Sequence, residues 1–142
     1  MSYKIVGKFI KDLKFSIPNP KTFFLISKDI SNYKINIEIK SAQVKEKIIE
    51  VDTTLSLKPI KNDFELIDTK ITYSAIVEID KEIDDKKIIQ NIILIKVPTE
   101  IYTDLRKIFI FVFEQSGFKN IQINEKVDFQ KLYDLVVYLS ED

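Results

Sequence analysis

Residues 3–17 alternate between apolar and polar positions. Ile5, Phe9, Leu13, Phe15 and Ile17 share one parity; Lys4, Lys8, Asp12, Lys14 and Ser16 share the other. A period of two marks a strand with one buried face. Pro18-Asn19-Pro20 ends this strand, because proline lacks the N–H that would continue a ladder. Residues 33–44 alternate again, with Ile35, Ile37 and Ile39 against Lys34, Asn36, Glu38 and Lys40. Residues 47–58 repeat the pattern through Ile49, Val51, Thr53, Leu55 and Leu57, and a turn follows over 59–63. Residues 64–79 read as a fourth strand whose parity changes: Phe64 and Leu66 share one face, Ile67, Ile71 and Tyr73 the other. A bulge near Leu66 accounts for the change, and so does a strand apolar on both faces.

The second half changes period. Asp80 to Lys87 is a mixed-charge run that reads as a solvated loop and helix start. Residues 84–95 bring Ile88, Ile92 and Ile95 near one helical face. Pro98 breaks the chain and Thr99 is placed to cap a second helix over 100–115, which carries Ile101, Leu105, Ile108, Phe109 and Val112 at helical spacing. Gly117 stands where a C-cap belongs. The run from Ile108 to Phe113 is apolar all round, so it needs cover on most sides, from an oligomer interface or between layers. A last helix starts at Asp128, with Val127 and Leu132 placed as a hydrophobic staple and Phe129, Leu132, Tyr133, Val136 and Val137 as its stripe. Strands over about 3–79 and helices over about 84–140 read as one α+β domain spanning 1–142, with helices on one face of a sheet.

Composition narrows the chemistry. The chain has no Cys and no His, which removes disulfides, thiolate sites and the commonest general base and metal ligand. Its two glycines cannot form a phosphate-cradling loop. The carboxylates of Asp80, Glu82, Asp84 and Asp85 are the best enzymatic candidates, and they lack a tuned partner. Charge is balanced at 22 basic and 22 acidic residues, with Arg106 the only arginine, which argues against nucleic acid as a partner. No signal-peptide pattern opens the chain and no apolar run is long enough to span a bilayer, so a cytoplasmic protein is expected.

Several ordered motifs resemble the SecB family of chaperones. Phe9-Ile10-Lys11-Asp12-Leu13-Lys14-Phe15-Ser16-Ile17-Pro18-Asn19-Pro20 is similar to the family's first strand, which ends in Pro-Asn. Ile71-Thr72-Tyr73-Ser74-Ala75-Ile76 resembles the strand that leads into the helical half, without the usual Gly near Ala75. Pro98, Ile101, Tyr102 and Arg106 match the family's helix start, and Gly117-Phe118 leads through Ile121 and Ile123 to Val127-Asp128-Phe129 and Leu132-Tyr133. The likeness covers nearly the whole chain.

The resemblance implies a four-stranded antiparallel sheet with helices on one face, assembled as a dimer of dimers with Ile108, Phe109, Phe111 and Val112 at a helical interface. It implies an ATP-independent holdase for unfolded polypeptides and preproteins, with no catalytic residue, cofactor, metal or membrane insertion. The implied client groove comprises Phe23, Phe24, Ile30, Ile67, Thr69, Ile71, Tyr133 and Val137, with Ile30 where the family often has Trp. Family members dock SecA through acids on the outer sheet face: Asp12 matches one, whereas Ser16 and Lys70 stand where others are expected. Two other readings share the fold: a chaperone dedicated to one partner, such as the antitoxin of a toxin–antitoxin pair, and a non-enzymatic scaffold with a filled groove.

Overall fold

A computed structural model describes residues 2–28, 33–59, 68–119, 121 and 123–140, the backbone alone for 59 and 135–140. Its order is β1 (Tyr3–Ser16), α1 (Pro20–Lys28), β2 (Tyr33–Lys45), β3 (Ile48–Pro59), β4 (Asp68–Ile79), α2 (Lys86–Asn91), a π-helical turn (Ile92–Lys96), α3 (Val97–Gln115) and α4 (Phe129–Ser140). The four strands that the alternation predicts form one antiparallel sheet, as the resemblance implies, in the order β1-β4-β3-β2. Phe64, Leu66 and Ile67, on which the expected parity change rests, lie outside the described residues.

The odd-numbered positions of β3 and β4 face the helices, and Val51, Leu55, Ile71, Ala75 and Val77 are fully buried there. Against them lies a ridge of α3: Val97, Ile101, Leu105, Phe109 and Phe113, all 0–1% exposed. Spacing of four keeps these side chains in one row along the helix. Each such residue contributes about 1.5–3 kcal/mol through burial. The ridge joins two apolar clusters, one around Val97 and Ile101, the other around Leu105, Phe109 and Phe113.

Three expectations need correction. Pro98 does not break the chain: helical backbone runs from α2 through the π turn into α3, with Pro98 in the first turn of α3. A π turn re-spaces the ladder where a proline donates nothing. Thr99 is therefore no cap, and its hydroxyl donates back to the Ile95 carbonyl. β1 does not keep one parity either. Register shifts fall between Ile5 and Gly7 and between Ile10 and Asp12. Each extra residue turns the following side chains over. Tyr3, Ile5, Lys8, Ile10, Leu13 and Phe15 thus stand opposite helix-facing residues of β4, whereas Phe9 stands opposite Ser74 on the outer face.

The third correction is α1, which follows β1 where only a strand stop was expected. Asn19 Oδ1 accepts from the Thr22 N–H at 2.8 Å, and Pro20 takes the first helical position. Both are standard opening signals.

The caps at Asp128 and Gly117 agree with expectation, and Asp85 adds one within the mixed-charge run. Asp85 caps α2 through the Lys87 N–H at 2.8 Å, and Asp128 accepts from the Lys131 N–H at 3.1 Å. Gly117, at φ 100°, closes α3: its N–H donates to the Glu114 carbonyl and the Phe118 N–H to the Phe113 carbonyl, both at 3.1 Å. That pair of bonds is a Schellman closure. It brings the Phe113 and Phe118 rings to 5.5 Å, and Phe118 stacks at 4.8 Å on Phe23 of α1. Gly117→Ala forces a left-handed residue to carry a Cβ 3.3 Å from the Phe23 ring. The expected loss is about 1–2 kcal/mol, read as a lower urea midpoint with an unchanged slope.

β1 is tied to α3 by polar bonds. The Tyr3 hydroxyl donates to Glu100 at 2.9 Å and Lys8 Nζ bonds Asp104 at 2.9 Å. Burial, then the Glu100 bond and charge, push the Tyr3 phenol up to about 12. The Asp104 bond likewise raises Lys8. Both folded-state shifts are upward, so their stabilisation is complete below the unfolded values and fades as pH climbs through the folded ones. The urea midpoint is expected to fall between about pH 10 and pH 12, less steeply in Tyr3→Phe; equal slopes would show that the Tyr3–Glu100 bond carries none of it.

Candidate functional site

The residues expected to line one groove do not share one environment. Thr69 and Ile71, at 3% and 0% exposed, are core positions of β4. Phe23 is half-buried against Phe118, and Phe24, next to it, is 67% exposed. Ile30 and Ile67 lie outside the described residues, as does the side chain of Val137. Tyr133 is half-buried on α4, its hydroxyl 3.5 Å from Gln90 of α2. Phe23 sits at the far end of α3, beside Gly117. At about 1.5 Å per helical residue, Gln90 and Gly117 are on the order of 35 Å apart. Phe23 and Tyr133 therefore lie beside opposite ends of the helical run from α2 to α3.

Of the expected interface residues, Phe109 is 1% exposed and belongs to the protomer's own core, in contact with Phe113. Phe111 is 60% exposed, and Ile108 and Val112 are half-buried. The all-round apolar run is thus divided: Phe109 and Phe113 face the sheet, and Phe111 faces away.

The geometry shows an apolar surface that sequence reasoning missed. α3 crosses β3 and β4, the middle strands, and leaves both edges of the helix side incompletely covered. On β2, Ile35, Ile37 and Ile39 face the helices yet are only half-buried. On β1, Ile10 and Leu13 face the same way and are 47% and 43% exposed. Strand alternation identifies the β2 isoleucines and Leu13 as core-facing, whereas Ile10 turns inward only through the bulges of β1; which strands the helix covers is decided by the position of α3. Ile26 of α1 belongs to the same apolar cluster as Tyr33 and Ile35 of β2. The β2 isoleucines make an apolar strip along a strand that is at the edge of the sheet among the described residues, and Phe24 adds an exposed ring on α1. Such an edge can accept an extended peptide.

Polar contacts hold the covering segment in place. The Tyr102 hydroxyl donates to the Asn124 carbonyl at 2.8 Å, and Arg106 Nε to the Ile123 carbonyl at 3.1 Å. Burial pushes the Tyr102 phenol upward, against the opposing charge of Arg106. Three of the four candidate carboxylates after β4 have structural partners: Asp80 accepts from the Glu82 N–H, Asp84 pairs with Lys47 and Asp85 caps α2. Among the described residues no group of acids is placed to hold a metal, and no helix is long and apolar enough to cross a membrane.

The outer face is polar. Asp12, half-buried, lies there opposite Thr72. Lys11 bonds Glu50 and, at 3.1 Å, Asp52, which also accepts from Ser74.

A sequence profile of the preprotein translocase subunit SecB matches residues 1–137. A protein of Pelagibacter ubique, provisionally named protein-export protein SecB, is 41% identical over 132 residues, 93% of this chain and 94% of its own. The protein-export protein SecB of Anaplasma phagocytophilum is 24% identical over 92% of this chain and 90% of its own. Among solved structures, a SecB-like chaperone of Mycobacterium tuberculosis, in complex with a peptide of an antitoxin, superposes with a TM-score of 0.59. That match covers 87% of this chain and 90% of the other, at 10% identity, and speaks to the fold alone.

Proposed function

The chain belongs to the SecB family of protein-export chaperones, and we propose that it holds unfolded polypeptides in the cytoplasm, without ATP, on the exposed apolar surface of the helix side of β2 and of Phe24. The observation that carries this reading is the half-covered row Ile35, Ile37 and Ile39 on the helix side of an edge strand, and the 67% exposed Phe24 of α1 adds apolar surface. Holding needs apolar contact without a reacting group. At about 25 cal/mol per Å2, burial of a short client segment gives modest affinity after ordering costs. A second apolar patch at Leu132 and Tyr133, and further copies of the chain, raise it through effective concentration.

We further propose a homotetramer that covers the outward face of α3 at Ile108, Phe111 and Val112. The 60% exposed ring of Phe111 supports this reading, and Phe109 is no part of it. SecA is not among the partners proposed for the outer face, where Lys11 occupies Glu50 and Asp52, and Lys14 stands opposite Lys70.

Diluting a chemically unfolded client into buffer without nucleotide tests the holding reading by light scattering. Near-stoichiometric suppression of aggregation is expected, reduced several-fold by Phe24→Asp and by Ile37→Asp in variants that keep their circular dichroism. No suppression of several unrelated clients would sink it; suppression of a single client would instead identify a dedicated chaperone. Native mass spectrometry should show four chains, and smaller species for Phe111→Asp. A wild-type monomer would overturn the assembly.

A further inference from the structure

We propose that the outer face of the sheet carries a docking band for an acidic, extended segment of a partner polypeptide, formed by Lys14, Lys34, Lys58 and Lys70. All four lysines are exposed and they come from all four strands. Lys14 stands directly opposite Lys70, and Lys34 directly opposite Lys58. Like charges directly opposite destabilise a sheet, so two such pairs are a cost that the fold itself does not require.

The register places them in two adjacent rows. One row reads Lys14, Lys70, Ser56, Asn36; the next carries Ser16 opposite Asp68 and Lys58 opposite Lys34. Asp68 is the one described carboxylate in these rows, and no ion pair among the described residues engages any of the four lysines. Lys8, Lys11 and Lys47, by contrast, each hold a carboxylate. At about 4.8 Å between strands, the band crosses the sheet over roughly 15 Å.

The neighbouring row decides the occupant. It holds Asp12 and Glu38 at the two edges, with Thr72 and Thr54 between, and Asp52 and Glu50 follow. Lys11 holds Glu50 and Asp52, and Lys40 lies 3.8 Å from Glu38. Asp12 is thus the acid of this group without an ion pair among the described residues, and a membrane surface or a duplex, broader than the band, would press its negative charge against it. A single extended chain with carboxylates at intervals lies along the band alone and completes its charge. This face is the opposite one from the proposed client strip, so the two functions separate experimentally.

The test is fluorescence anisotropy of a labelled deca-glutamate peptide with the full chain, at about 20 mM and about 200 mM salt. Replacing all four lysines by Gln should weaken binding at least about tenfold and abolish most of its salt dependence. The control Lys81→Gln/Lys86→Gln/Lys87→Gln, elsewhere on the surface, should change it less than about twofold. The four-lysine variant should unfold at an equal or higher urea concentration and still suppress client aggregation. Equal binding by wild type and variant, or no binding at low salt, overturns the proposal. Tighter binding of duplex DNA or of phosphatidylglycerol vesicles than of the peptide also overturns it, in favour of a general anionic surface.

Discussion

The contact on which the rest of this structure depends is the row Val97, Ile101, Leu105, Phe109 and Phe113 of α3, pressed onto β3 and β4. It is the link between the two apolar clusters, and its C-terminal end is fixed by the closure at Gly117. Through that closure Phe118 reaches Phe23, so one turn sets the position of α1 as well. Tyr102 and Arg106, on the same helix, anchor the segment that leads to α4. Loss of the ridge would leave a twisted sheet with an uncovered apolar face, which does not stand alone in water.

One helix laid over the two middle strands of a four-stranded sheet cannot cover the outer two. That geometry connects stability to function here. The middle strands are dry and rigidly packed, whereas β1 and β2 keep half-exposed apolar rows and open edges. Apolar surface of this kind is an aggregation hazard in a monomer and an asset in a protein that must receive other unfolded chains. A shared polar rim and an oligomer that buries Phe111 would limit the exposed remainder to what clients use.

Much of the architecture was legible. Period two identified the four strands, and the clean rows of Ile35–Ile39 and Ile49–Leu57 kept their faces. The positive-φ Gly117 and the cap Asp128 sit where local chemistry asked for them. The misses have physical causes. Two bulges in β1 move Phe9 to the outer face, and nothing in a parity count reveals an inserted residue. Pro98 looked like a break because a proline costs an α-helix one bond; the preceding π turn absorbs that cost. α1 was hidden in Pro18-Asn19-Pro20, where the prolines were read as an ending and the Asn-Pro pair was an opening. For the site, periodicity could say which residues point inward, but not which inward residues a helix then covers. Ile71 and Ile37 look alike in sequence; one is 0% exposed and the other half-buried.

The most direct measurement is site-specific photo-crosslinking to an unfolded client from three positions: Phe24, Ile37 and Glu38. Ile37 and Glu38 are neighbours in β2 but point to opposite faces of the sheet. The account expects client capture from positions 24 and 37 and little from 38. Equal capture from 37 and 38, or capture from none of the three, would contradict it.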